Sequence, residues 1–210
     1  MGRVAAIFDV DHTLVRGASE RFFFLYLIRH QKLDLVHTLG FLARLSLHPR
    51  ERFRDKSYLG GMEVEETRRL ARQCFREVIS PRLSPVGLAC VRDHQARGHE
   101  IVLLTGSLSF LVEPLQEELG AKFLIATELA ANDNHFTGKI QGLHPRGENK
   151  WLLLKELSRE EGLDLASSYA YGDHIEDMPL FRSIGHPVAV NPGWRLKNQA
   201  RRHRWPIRDF

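Results

Sequence analysis

The sequence predicts an α/β protein: a doubly wound parallel sheet of about five strands with a small all-helical cap. Three observations carry this reading. From residue 84 onward, short apolar runs alternate with segments of helical periodicity, as in a parallel sheet wound by crossover helices. The chain opens on a buried-strand pattern, Val4-Ala5-Ala6-Ile7-Phe8, which stops at Asp9-Val10-Asp11-His12-Thr13. Between residues 17 and 82 the patterns are helical, with no convincing strand. The expected organisation is therefore a core of residues 1–16 and 83–210, interrupted by a helical cap of residues 17–82.

Each element has a local reason. Ser19 is placed to cap a helix starting at Glu20, which contains the apolar run Phe22 to Ile28. A second helical segment runs from Leu33 to Leu47 and stops before His48-Pro49, and a third runs from Arg50 to Tyr58-Leu59-Gly60-Gly61. The fourth, Val64 to Ile79, places Leu70, Ala71, Cys74, Phe75 and Val78 at near-helical spacing. Ser84-Pro85 reads as N-cap and first helical residue, with Gly98 closing that helix. Glu100–Thr105 is a buried strand followed by Gly106-Ser107. The next helix ends at Leu119-Gly120 and carries Pro114 inside it. Phe123–Ala126 is a third strand, and the polar Asn132-Asp133-Asn134 turn marks a hairpin. A helix from Gly147 to Gly162 separates it from a fourth strand, Ser167–Gly172. Pro187–Val190 is a short fifth.

Composition narrows the class. With 43% hydrophobic and 27% charged residues in 210, the chain reads as a soluble globular protein. A net charge of +4 favours anionic partners but is too small to imply nucleic acid. Cys74 and Cys90 have no ligand spacing and read as free thiols in a reducing compartment, with the cytoplasm expected. The apolar run Phe22–Ile28 is too short to cross a bilayer.

The chemistry sits where the strands end. Residues i and i+2 of a strand share a face, so Asp9 and Asp11 would repel each other without a cation or a shared proton. Open α/β sheets place ligands at this edge. Three later segments fall at strand ends or helix starts: Thr105-Gly106-Ser107, Lys150, and Gly172-Asp173-His174-Ile175-Glu176-Asp177. In order and residue type, these four segments resemble the haloacid dehalogenase superfamily of aspartate-nucleophile phosphatases. The helical insert after the first motif is similar to the cap of the subgroup that includes phosphoserine phosphatases.

The resemblance implies a Rossmann-like core, Mg²⁺ as cofactor and a phosphomonoester hydrolase that forms an aspartyl-phosphate. It implies that Asp9 is the nucleophile and a metal ligand. Asp11 would protonate the leaving oxygen, then activate water, and offer its backbone carbonyl to the metal. Asp173 would complete the metal set. Asp177 would support Lys150 or a metal-bound water. Thr105, the N–H groups of Gly106 and Ser107, and Lys150 would hold the phosphate. His12 and His174 flank the aspartates but lack ligand spacing, and hard oxygen ligands dominate.

A small phosphorylated metabolite is the expected partner, with no nucleic acid. Phosphoserine phosphatases of this kind carry an acid nine positions after the nucleophile; here that position is Ala18, with Glu20 two residues further on. Ala18 and the apolar run beyond it favour a neutral or lipid-like leaving group over phosphoserine, with phosphoserine as the alternative. A phosphotransferase and a non-catalytic phosphate-binding scaffold on the same fold remain further readings. The basic stretch containing Arg195, Lys197, Arg201, Arg202, Arg204 and Arg208 reads by default as a solvated helix face, with an anionic surface or nucleic acid the less favoured reading; peripheral membrane contact is likewise not expected.

Overall fold

The structure is a computed structural model that describes residues 2–33 and 56–210. The helices expected over Leu33–Leu47 and from Arg50 lie outside the described residues, apart from the end of the latter, where Ser57–Leu59 form a single 3₁₀ turn.

Among the described residues, seven strands form one sheet: β1 (Ala5–Phe8), β2 (Glu100–Leu108), β3 (Phe123–Asn132), β4 (His135–Gln141), β5 (Tyr169–Gly172), β6 (His186–Val190) and β7 (Ile207–Arg208). Their order is β4-β3-β2-β1-β5-β6-β7. Every pairing is parallel except β3–β4. Strand order reverses at β1, the switch point where open α/β sheets place their ligands. The α-helices among the described residues are α1 (Ser19–Arg29), α2 (Val64–Cys74), α3 (Pro85–Ala96), α4 (Ser109–Leu119), α5 (Glu148–Glu161), α6 (Met178–Ser183) and α7 (Trp194–His203).

The period of two along the strands sorts the core onto two faces. Ala6, Phe8, Ile101 and Leu103 pack with α1 to α4 on one side. Ala5, Ile7, Val102 and Leu104 pack with α5 to α7 on the other. Phe8 stacks on Tyr171 with ring centroids 4.5 Å apart.

Three expectations are corrected in detail. The sheet has seven strands, because β4 of the hairpin joins its edge and the two-residue β7 closes the other. β2 does not stop at Thr105 but continues to Leu108 across a register shift, so α4 starts two residues after Ser107. Ser19 is not the cap of α1: Ala18 occupies the N-cap position, and the Ser19 hydroxyl lies 2.9 Å from that of Ser107. The run Phe22–Ile28 is spent mainly on packing. Phe23 sets its edge on Phe110 of α4 at 5.9 Å, and Phe24 sits edge-on to Tyr58 at 5.2 Å.

The helical cap is tied down at several points. Its chain leaves and returns side by side: Val15 and Leu83 form an antiparallel bridge, and Arg16 N–H donates to Arg82 O at 2.9 Å. Arg68 of α2 pairs with Glu113 of α4. Glu63, which caps α2 by accepting from the N–H groups of Glu65 and Glu66, also bridges to His135 of the hairpin. Gly138 (φ +74°) lets β4 approach the cap, where a Cβ would lie 2.9 Å from Ser57 Cα.

Candidate active site

Asp9 follows β1, and its N–H donates to Tyr171 O of β5 at 2.9 Å, which fixes the end of one strand to the next. The chain then folds tightly. The N–H groups of Thr13, Leu14 and Val15 all converge on Val10 O, and His12 adopts a left-handed φ of 58°. This turn presents Asp9 and Asp11 in different directions.

Asp9 faces Lys150 and the loop after β5. Lys150 Nζ, on the first turn of α5, donates to Asp9 Oδ2 at 2.7 Å and lies 3.1 Å from Asp177 Oδ1. Carboxylate oxygens of Asp9, Asp173 and Asp177 lie within 4.8 Å of one another. Burial by itself would lower the Lys150 ammonium, but the charges of Asp177 and Asp9 outweigh it and hold the group above its ordinary range. Asp173 is pushed up to about 7, first by burial and then by repulsion from Asp9 and Asp177. Asp177 is likewise raised by burial, with Lys150 pulling the other way. One cation thus serves three crowded carboxylates.

The donor set fits a hard divalent cation, since it is all oxygen and carries excess negative charge. Among the described residues, Asp177 Oδ2 is also buried with no hydrogen-bond partner. Gly172 makes room for that oxygen: a Cβ there would lie 2.8 Å from Asp177 Oδ2.

Asp11 points the other way, toward α1 and β2. Its Oδ2 accepts from Ser107 Oγ at 2.6 Å, and its Oδ1 accepts from Ser19 N–H, at the start of α1, at 2.9 Å. Burial raises its pKa, and the hydrogen bonds from Ser107 and Ser19 partly offset that. Its carboxylate is outside the Asp9–Asp173–Asp177 cluster.

Thr105 is buried on β2, and its Oγ1 accepts from Ser107 N–H at 3.2 Å. That N–H is therefore turned toward Thr105 and does not head a helix, because β2 runs on to Leu108. Gly106 O accepts from Thr127 Oγ1 at 2.7 Å, and Thr127 Oγ1 is 2.8 Å from His144 Nδ1. His12 and His174 are exposed beside the site, and His174 Nδ1 accepts from Glu176 N–H at 3.3 Å.

Three participants escape a reading of sequence alone. Arg146 grips Glu176 through two hydrogen bonds. Lys56, buried in the cap, is ion-paired with Glu20. The Tyr58 hydroxyl donates to Glu20 Oε1 at 3.1 Å. Only Glu20 carried a signal, as an acid two positions beyond Ala18.

The family model for haloacid dehalogenase-like hydrolases matches residues 6–182. The chain belongs to this family. A histidinol-phosphatase of Neisseria meningitidis is 30% identical over 98% of both chains. A phosphoserine phosphatase of Mycobacterium tuberculosis is 30% identical over 98% of this chain and 70% of its own. An inhibition of morphological differentiation protein of Streptomyces azureus is 31% identical over 99% of this chain and 79% of its own. Among solved structures, a Bordetella pertussis protein of unknown function matches with a TM-score of 0.87 at 27% identity, covering 100% of this chain and 99% of that one. A phospho-aspartyl intermediate analogue of phosphoserine phosphatase shares the fold, with a TM-score of 0.68 at 18% identity over 100% of this chain and 94% of that one. This haloacid dehalogenase-like hydrolase therefore combines the Rossmann-like core with an inserted helical cap. Among the described residues, no helix is long and apolar enough to cross a membrane.

Proposed function

We propose that the chain is a Mg²⁺-dependent phosphomonoesterase working through an aspartyl-phosphate on Asp9, with a phosphorylated 2-amino alcohol of the phosphoserine kind as substrate. The observation that carries the reaction is the division of labour between the two aspartates. Asp9 lies in the charged cluster with Lys150, and Asp11 stands apart with its proton affinity raised.

In the first step an Asp9 carboxylate oxygen attacks phosphorus, the ester P–O bond breaks, and Asp11 gives its proton to the departing alkoxide. In the second, Asp11 takes a proton from water, the resulting oxygen attacks phosphorus, and the acyl-phosphate P–O bond breaks to regenerate Asp9. Ser107 and the α1 N-terminus hold Asp11 in place for both steps. Lys150 and Thr105 face the phosphoryl oxygens, with the Gly106 and Ser107 backbone beside them. Asp9, Asp173 and the Asp11 backbone carbonyl would hold Mg²⁺, and Asp177 would anchor Lys150 behind them. When bound, the ion neutralises charge on the phosphate and on the carboxylates. Residues 17–82 act as the cap over this site.

The substrate class rests on the relatives and on Glu20. Phosphoserine and histidinol phosphate share one feature, a phosphate on a primary alcohol beside an ammonium-bearing carbon. This similarity outweighs the preference for an apolar leaving group drawn from Ala18, and much of the run meant to receive that group is used in packing. Glu20 follows Ser19 in the first turn of α1, where Lys56 and Tyr58 anchor it, and would be the acid that meets the ammonium. The test compares kcat/KM for phosphoserine, histidinol phosphate, a lysophosphatidate and an aryl phosphate, with and without Mg²⁺. One of the two amino-alcohol phosphates should lead by at least about tenfold. A lead by the aryl or lipid phosphate would reverse the substrate assignment.

A further inference from the structure

Charge in this chain is segregated. Residues 178–208 contain seven Lys and Arg and no Asp or Glu, while the rest of the chain holds 23 Lys and Arg against 26 Asp and Glu. All seven cations are exposed, and among the described residues none is ion-paired. Most of them lie on α7 and the adjoining edge strand β7. Leu196 and Ala200 bury the underside of α7 against the sheet and leave its outer face displayed.

Folding accounts for part of this. Arg201 and Arg202 in the last turn of α7 complement the helix dipole, and Arg208 guards a sheet edge. It does not account for the other end. Arg195 and Lys197 sit near the positive end of the dipole, with no acid in the first turn. Beside them Trp194 is 70% exposed, with the Arg195 guanidinium 5.3 Å from its ring centroid. Cations at a helix start and an unburied indole contribute nothing to the isolated fold.

We propose that α7 and β7 form a docking surface for an anionic phospholipid bilayer. The surface is the outer face of one helix beside a two-residue edge strand; Trp194 is its one well-exposed indole, because Trp205 at the other end stacks on His203 and packs against the core. Single-stranded nucleic acid is typically held in a groove with successive aromatics for its bases. A bilayer asks only for cation density and an interfacial indole. With no acyl anchor, such binding is reversible. Asn191, three residues before Trp194, donates through Nδ2 to His12 O at 3.0 Å, so the docking face adjoins the rim of the Asp9 site.

The test is co-sedimentation of the full chain with vesicles of phosphatidylcholine alone or with roughly 30% phosphatidylserine, at about 0.1 M and about 1 M salt. Binding should require the anionic lipid and be released by high salt. Each cation near the surface is worth about fivefold, so the combined variant Arg195→Gln, Lys197→Gln, Arg201→Gln and Arg202→Gln should lose at least about a hundredfold. Trp194→Ala should lose several-fold, and both should keep wild-type melting and turnover of soluble substrate. Failure to bind anionic vesicles at about 0.1 M salt, equal binding to both vesicle types, or undiminished binding by the four-site variant would overturn the proposal. So would a single-stranded oligonucleotide that binds this face while the vesicles do not.

Discussion

Arg146 and Glu176 join the segment leading into α5 to the loop after β5: Nη2 donates to Oε1 at 3.1 Å, and Nε donates to Oε2. Arg146 stands four residues before Lys150, and Glu176 lies between Asp173 and Asp177. A partly exposed ion pair adds at most about 1 kcal/mol to stability, whereas a displacement of about 1 Å in a site can cost about a hundredfold in rate. Arg146→Met and Glu176→Gln should each lower kcat about tenfold with little change in melting temperature. The double variant should be no slower than either single one. Additive losses in that cycle would show that the two side chains act separately.

Gly172 is a matter of space. A methyl group there would press on Asp177 Oδ2 at 2.8 Å and on Phe181 Cζ at 3.3 Å. Gly172→Ala should stay folded at a cost of roughly 1–3 kcal/mol. Its turnover should fall by more than tenfold, because Asp177 must shift and Lys150 with it. Unfolding curves and steady-state rates on one preparation separate the two effects.

The separation of the aspartates can be read by calorimetry. Asp9→Asn and Asp11→Asn should both abolish turnover. Only Asp9→Asn and Asp173→Asn should weaken Mg²⁺ binding, by about tenfold or more. Asp11→Asn keeps its backbone carbonyl and should bind the ion within a few-fold of wild type. An equal loss in Asp11→Asn would put its carboxylate on the metal.

His94 predicts the response to acid. It is buried between Tyr171 Oη at 2.7 Å and His99 Nδ1 at 2.8 Å. Burial, then His99 and Arg97, lower its pKa from 6.5 to about 4, with Asp93 opposing. The unfolded chain therefore binds a proton that the folded one refuses. The contribution to stability is intact above pH 6.5 and is lost as pH falls toward 4, on the order of 2–3 kcal/mol in all. Urea unfolding across that window should show the slope, and His94→Gln should flatten it.

Much of this was legible in the residues. The Val4–Phe8 run, the Ser84-Pro85 start, the Gly98 and Gly162 stops and the Asn132-Asp133-Asn134 turn each act locally, and each element formed where its signal lay. What was not legible depends on distant partners. β7 is two exposed residues that become a strand only beside Ala189 and Val190. The extension of β2 past Thr105 depends on pairing Leu108 with Thr127. Ser19 looks like a cap until Ser107 is seen opposite it, and Lys56 looks like any surface lysine until Glu20 faces it. The four segments of the site could be picked out singly, but not the way Asp11 turns from Asp9.

The pairing of Val15 with Leu83 has a consequence for how such a chain can change. The insert leaves and rejoins the core at one point on the rim, so residues between its two ends can be lengthened, shortened or exchanged without rerouting any strand of the core. Under the proposed function, the residues that would admit the substrate and most of those that would transform it are then written in separate stretches of the gene. A lineage can revise the first while inheriting the second intact.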